Sequence, residues 1–188
     1  MLSRKRTNTE HFKKVLDYLN SFMNLSDEDF NEISSYCEIR HIRKKQRLLD
    51  IGETENSLNI VVKGVARKFV LAGKKEVTIQ FATEGEFIFS EISFTKRHPS
   101  LVIIETIEPC ILVSIKYAQV EQLYLNMPKI EKLGRLIVTD MFIKKDRQDF
   151  INLDKTIRER FLYYIDTHPH MLQRVPQKYI ASYLNIKP

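Results

Sequence analysis

Four of the chain's five glycines, Gly52, Gly64, Gly73 and Gly85, fall in one short segment at spacings of 12, 9 and 12 residues. Glycine enters the left-handed backbone region without the steric penalty that other residues meet, so a regular glycine spacing marks turns. The stretches between them are β-rich: Leu58-Asn59-Ile60-Val61-Val62 before Gly64, Val65 to Val70 before Gly73, and Val77-Thr78-Ile79-Gln80-Phe81 before Gly85. Residues 101–107 and 110–115 add two more runs dominated by β-branched residues. Several short strands joined by regular turns imply a sandwich or small barrel.

Past residue 117 the pattern changes. A single glycine, Gly134, remains and apolar residues recur at helical spacing. A helix over 128–151 carries Ile130, Leu133, Ile137 and Met141 on one stripe, with Leu136, Ile143 and Phe150 on a neighbouring one. Two stripes imply two neighbours. The β domain is one, and the other is either a partner subunit or the chain's own core. Asn152-Leu153-Asp154 reads as a hinge, with Asp154 as the N-cap of a helix through about Asp166. The loop Thr167-His168-Pro169-His170 follows.

The last twelve residues, 177–188, read as the first helix and turn of a helix-turn-helix, cut off where the second helix begins. Ile180 and Leu184 share one helix face, and the small Ala181 lets a second helix cross closely. Asn185 stands where the turn needs a residue that tolerates a left-handed backbone. Ile186 plugs the turn from inside, and Pro188 suits the opening of a following helix. An ordinary amphipathic helix is the alternative that these residues alone leave open.

A length of 188 residues accommodates a mid-sized domain and a small one, and 43% hydrophobic with 29% charged residues is the make-up of a globular protein. No stretch approaches the roughly eighteen consecutive apolar residues of a spanning helix, and the start, Met1-Leu2-Ser3-Arg4-Lys5-Arg6, has no apolar segment behind it. A cytoplasmic protein without a membrane partner is expected. The net charge of +6 is compatible with DNA, and residues 117–188 hold 12 Lys+Arg against 8 Asp+Glu. Cys37 and Cys110 lie far apart without a CxxC pair and read as buried free thiols. The five histidines have no metal-site spacing, the β-rich runs carry none of them, and no nucleophile elbow, phosphate loop or zinc-protease motif is present. Neither a bound metal nor an enzyme is expected.

The order of parts, a glycine-punctuated β-roll, a long helix and a helix-turn-helix, resembles the cyclic-AMP receptor protein and FNR (Crp/Fnr) family of bacterial transcription regulators. The residues that carry the resemblance are Gly52-Glu53, Val61-Val62-Lys63-Gly64, Gly85-Glu86-Phe87-Ile88 with Glu91 and Phe94, and Arg174-Val175-Pro176-Gln177 running into Tyr179-Ile180-Ala181. The implied fold class is α+β: an N-terminal cyclic-nucleotide-binding-like jelly roll with flanking helices (1–127), a central dimerisation helix (128–151), and a truncated winged-helix or helix-turn-helix domain (152–188). The implied protein is a homodimer that binds DNA under the control of an effector. A stand-alone sensor or protein-interaction module that does not bind DNA is the alternative.

In nucleotide-binding members of that family a glutamate holds the ribose and an Arg-Ser pair grips the cyclic phosphate. By that resemblance Glu91 and Ser100 take the glutamate and serine places. Pro99 stands where the arginine belongs and offers a phosphate no donor, while Ser90 replaces a glycine and an extra residue lies between Phe87-Ile88 and Glu91. Lys96, Arg97 and His98 either supply positive charge by another route or form a solvated loop. Glu91, Arg97 and Ser100 are therefore the candidate effector-binding residues. The effector is a cyclic nucleotide or another small anion, or the pocket has lost its ligand. The family's base-contacting pair on the central helix corresponds to Ile143-Lys144. Gln177 and Lys178, at the start of the supporting helix, are the candidate DNA-phosphate contacts.

Overall fold

The computed structural model describes residues 2–186, with side chains from Glu10 onward. Among these the order is α1 (Leu2–Asn20), α2 (Asp27–Ser35), β1 (Cys37–Ile42), β2 (Arg47–Leu49), β3 (Ser57–Lys63), β4 (Ala66–Ala72) and β5 (Lys75–Ala82). Then come α3 (Glu91–Lys96), β6 (Ile103–Thr106), β7 (Cys110–Lys116), α4 (Tyr117–Asn126), α5 (Pro128–Asp154), α6 (Ile157–Thr167), α7 (Met171–Arg174) and α8 (Gln177–Tyr183). The strands make two antiparallel sheets, β1-β7-β3 and β2-β6-β4-β5. The five β-rich runs of the sequence are β3 to β7. The strands β1 and β2 were not anticipated, because Cys-Glu-Ile-Arg-His-Ile is half polar and β2 is only three residues long.

The turn glycines act as their spacing requires. Gly64 has φ +104°, and a Cβ there would lie 2.6 Å from both the Pro109 carbonyl oxygen and Cys110 Sγ. The turn from β3 to β4 therefore packs directly on the start of β7. Gly134 does different work: it bares the α5 backbone so that the Tyr124 ring of α4 lies against it.

Three apolar clusters hold the molecule together. One lies between the three-stranded sheet and the helices, with Val15, Leu19, Leu123, Ile130, Leu133 and Ile137 meeting Ile60, Phe87 and Val113. A second fills the space between the sheets with Val61, Ala66, Ala82, Ile88, Ile104 and Leu112. The third joins the roll to the terminal helices, where Val65 and Ile107 meet Tyr164, Met171, Val175, Ile180 and Leu184. Strand β4 is consequently covered on both faces, with Ala66 turned to the roll interior and Val65 just before it turned to the terminal helices.

The long helix ends later than its sequence pattern indicated. It continues through the 152–154 segment read as a hinge, and the break falls at Lys155. Asp154 is thus inside α5, and the N-cap of α6 is Thr156. Thr156 Oγ1 accepts from the Glu159 amide at 3.4 Å, and Glu159 Oε2 accepts from the Thr156 amide at 2.8 Å. A Thr with Glu three residues on satisfies two free amides reciprocally, which Asp154 followed by Ile157 cannot do. Along α5, Ile130, Leu133 and Ile137 are buried, whereas Phe142, Ile143, Phe150 and Leu153 are exposed.

After α8, Asn185 adopts φ +53°, the left-handed conformation the sequence asks of it, and the Ile186 amide donates to the Ala181 carbonyl at 2.9 Å. The described chain ends in these helices. Lys187, and Pro188 with its assigned place at the start of another helix, lie outside the described residues.

Candidate functional site

The interior of the roll behind α3 is built by adjacent charges on β4. In a strand, successive side chains point to opposite faces, so Arg67-Lys68 in an otherwise apolar run must send one charge inward. Lys68 is that residue, 5% exposed. Its Nζ donates to both carboxylate oxygens of Glu91, each at 2.7 Å, and to the Phe89 carbonyl at 3.0 Å. Burial lowers the Lys68 pKa and the Glu91 carboxylate works against that shift. Glu91, the first residue of α3, keeps its side chain 51% exposed.

The other two candidate residues do not join this pair. Ser100 is buried, and its hydroxyl donates to the Val102 carbonyl at 2.8 Å and accepts from the Val102 amide at 3.1 Å, closing the turn into β6. Arg97 ends α3 with φ +55°. Its guanidinium donates to the Glu55 carbonyl at 2.6 Å and the Phe94 carbonyl at 3.3 Å, bonds Asn56, and lies 4.2 Å from the Tyr117 ring centroid. Arg97 thus ties α3 to the approach to β3 and to α4. Pro99 is exposed, as are Lys96 and His98. On α5, Ile143 is exposed and Lys144 pairs with Asp140 at 2.8 Å.

Sequence reasoning missed Lys68 and Glu55. The signal for Lys68 was the charged dipeptide inside a β-run. Glu55 had none, since its importance comes from burial. It is 5% exposed, and its carboxylate accepts from the amides of Ser57 at 3.1 Å and Ser90 at 3.4 Å. Burial raises its pKa while those amides pull it down.

The outer face of β4 carries the second constellation, a seam between the roll and the terminal helices. Arg67 is 1% exposed, and its Nη2 donates to Glu76 at 2.6 Å and Glu105 at 3.1 Å. The guanidinium lies 4.0 Å from the Phe69 ring centroid and 3.7 Å from that of Tyr179 on α8. Arg174 makes a two-pronged pair with Glu84, at 2.9 and 2.7 Å, and its Nε reaches Glu108 at 3.0 Å. Burial works to raise the Glu84 carboxyl, but Arg174 and the Gly64 amide outweigh it and hold the pKa down at about 2. Ser182 Oγ accepts from the Thr78 amide at 3.0 Å and donates to the Glu76 carbonyl at 3.1 Å. Gln177 and Lys178, at the start of α8, are exposed.

Two surface grooves lie away from the Lys68–Glu91 pair, and the smaller one borders the seam at Glu84. One of about 240 Å³ runs along Lys14, Asp17, Ile60, Val62 and Gly85, and one of about 520 Å³ along Leu162, Tyr163, Ile165 and Asp166. Cys110 is buried and Cys37 half-buried, and burial pushes both thiols up to about 12. One histidine, His41, does sit on a strand, β1, where it is exposed. Among the described residues no group of three or more His, Cys, Asp or Glu is placed to hold a metal, and no helix is long and apolar enough to cross a membrane.

Comparison with known proteins places this geometry. The family model for the cyclic nucleotide-binding domain matches residues 39–126. No curated protein matches the chain. Among solved structures, a cyclic nucleotide-binding domain from Methylobacillus flagellatus is similar at 20% identity and TM-score 0.69, over 78% of this chain and 85% of that one. The c-di-GMP responsive global regulator CLP of Xanthomonas campestris is similar at 16% identity and TM-score 0.63, over 84% of each chain. The Thermus thermophilus catabolite activator protein is similar at 17% identity and TM-score 0.60, over 90% of this chain and 81% of that one. From within β1 to the end of α4, the chain thus matches the cyclic nucleotide-binding domain in sequence and shares its fold, and this stretch is set between N-terminal helices and the long helix α5.

Proposed function

We propose that the protein is a Crp/Fnr-type transcription regulator, a cytoplasmic homodimer whose roll responds to a small anionic effector and controls DNA contact by the terminal helices. The observation that carries this reading is the division of α5. Its first half is anchored in the roll by Ile130, Leu133 and Ile137, while its second half presents Phe142 (69% exposed), Phe150 (64%) and Leu153 (86%). An apolar stripe on a helix that projects past its own core is a self-complementary surface for a second copy. Two copies joined there carry two sets of terminal helices, the arrangement needed to read a two-fold DNA site. Gln177 and Lys178 take the phosphate contacts in this reading. An effector changes the output only by binding one dimer geometry more tightly than the other.

Light scattering at tens of micromolar tests the dimer: wild type is expected at twice the chain mass and Phe142→Glu/Phe150→Glu at the chain mass. A wild-type monomer would sink the proposal. For the DNA part, Lys178→Ala is expected to lower the salt dependence of DNA binding by about one unit of slope; an unchanged slope would remove Lys178 from the interface.

A second reading, a sensor or protein-interaction module without DNA binding, draws on the seam. Tyr179, Ser182 and Tyr183 of α8 are held on the roll, with Tyr183 5.2 Å from Phe81 between ring centroids. In this reading the terminal helices are a fixed part of the roll surface. Salt-independent absence of DNA binding by a dimeric protein would favour it.

A further inference from the structure

Lys68 places a buried ammonium in the roll interior beside an apolar cluster. Ala66, its inward-facing neighbour on β4, sits in an apolar cluster with Ala82 and Ile104. An apolar side chain at position 68 would fill the same space without desolvating a charge, and a buried ammonium persists only where an anion stays beside it. That anion is Glu91, and its surroundings make it exchangeable.

Its side chain is 51% exposed against 6% for Lys68, so solvent reaches the carboxylate and not the ammonium behind it. Among the described residues, Lys68 is the only hydrogen-bond donor to the Glu91 carboxylate. The other nearby carboxylate, Glu55, is 5% exposed and already committed to the Ser57 and Ser90 amides. Lys145 of α5 adds positive charge near enough to weigh on Lys68, so the approach to the pair also favours an anion.

We infer that Lys68 is an anion-binding residue inside the roll, that Glu91 is its resident counter-ion, and that an oxyanion on a small molecule binds by taking the carboxylate's place on Nζ. The inference rests on the sensor reading above and names the group that does the sensing. An ammonium grips an oxyanion as a point charge with three rotatable donors, so the site does not need the planar fork that an arginine at position 99 would have supplied. It accepts a phosphate or phosphoester without the ribose contact, because Glu91 swings out to solvent when displaced.

The test is the thermal midpoint of the full chain at pH 7, with inorganic phosphate titrated against chloride at constant ionic strength. Glu91→Gln removes the resident anion. It is expected to melt below wild type in chloride and to regain roughly 5 °C in saturating phosphate, a larger shift than wild type shows. Glu91→Asp, which keeps a charge but withdraws it from Nζ, is expected to respond in the same direction by a smaller amount and serves where the Gln variant does not fold. Lys68→Met is expected to melt no lower than wild type and to ignore phosphate.

An equal response in Lys68→Met puts the anion elsewhere and overturns the inference. So does the absence of a response in both Glu91 variants, which makes the pair purely structural. The sensor reading fails separately, when wild type is unmoved by a panel of small anionic metabolites although Glu91→Gln still answers phosphate. If Lys68→Met answers that panel as wild type does, the sensor reading stands and this inference falls.

Discussion

Arg67 and Lys68 are consecutive residues of one strand, both at least 95% buried, yet they do different work. Lys68 faces the interior with a single, half-exposed carboxylate for a partner. Arg67 faces the terminal helices with two carboxylates and two aromatic rings around it. The contrast teaches how to tell a clamp from a site. A guanidinium whose neighbours come from β4, β5, β6 and α8 together is fixed by geometry, and moving any one neighbour disturbs the others. An ammonium with one solvent-reachable counter-ion can change partners without disturbing the sheet.

The comparison breaks most visibly in a pair of methionine variants. Arg67→Met should cost about 3 kcal/mol, because it strands Glu105 and removes the cation from Tyr179. Urea unfolding measures the loss, and faster proteolysis at the 155–156 break should accompany it. Lys68→Met should cost under about 1 kcal/mol or stabilise, because a methionine of similar length replaces a desolvated charge. Equal losses in the two variants would erase the distinction between clamp and site.

Titration sharpens the same contrast with opposite signs. Glu84 in the seam has its folded pKa held down at about 2, below its unfolded value. The stability it contributes is present above the ordinary glutamate range and is lost as pH falls through that range toward 2. Lys68 has its folded pKa lowered beneath the ordinary lysine value, so between the two the unfolded chain binds more protons. Stability therefore rises with pH across that alkaline window. Melting curves in acid and alkali should show both slopes; Arg174→Gln should flatten the acid one, and Lys68→Met the alkaline one.

Ser182→Ala gives the smallest effect. It removes the acceptor of the Thr78 amide and should cost about 1 kcal/mol, seen as faster amide exchange at Thr78 with no change at Lys68 or Glu91.

The glycine rhythm made β3, β4 and β5 legible, because a residue at φ +104° with backbone 2.6 Å from its missing Cβ must be glycine whatever surrounds it, and β-branched runs did the same for β6 and β7. Asn185 was legible too, as a residue that tolerates the left-handed backbone its turn needs, and it adopts φ +53°. The strands β1 and β2 escaped because their residues alternate too weakly to stand out from a loop. The α5 stripes were visible, but the cap of α6 was misread by two positions, since Asp154 and Thr156 are both good caps and only the reach of Glu159 decides between them. Of the Lys68–Glu91 pair, the sequence drew attention to Glu91 and passed over Lys68; Arg97 was singled out for its charge, and the fold uses that charge to fasten α3 to Asn56 and Tyr117.

What the sequence determined by itself is local: where the backbone must turn, which segments have strand or helix period, and that α5 has more than one apolar face. These follow from steric limits on single residues and from repeats of two or about 3.6, which need no knowledge of distant neighbours. The tertiary structure alone decided that Lys68 meets Glu91 across 23 residues, that Arg67 holds Tyr179, and that only the first half of α5 is covered. A hydrophobic or charged pattern says that a face needs a partner. Which partner it meets depends on how the sheets and helices close in space.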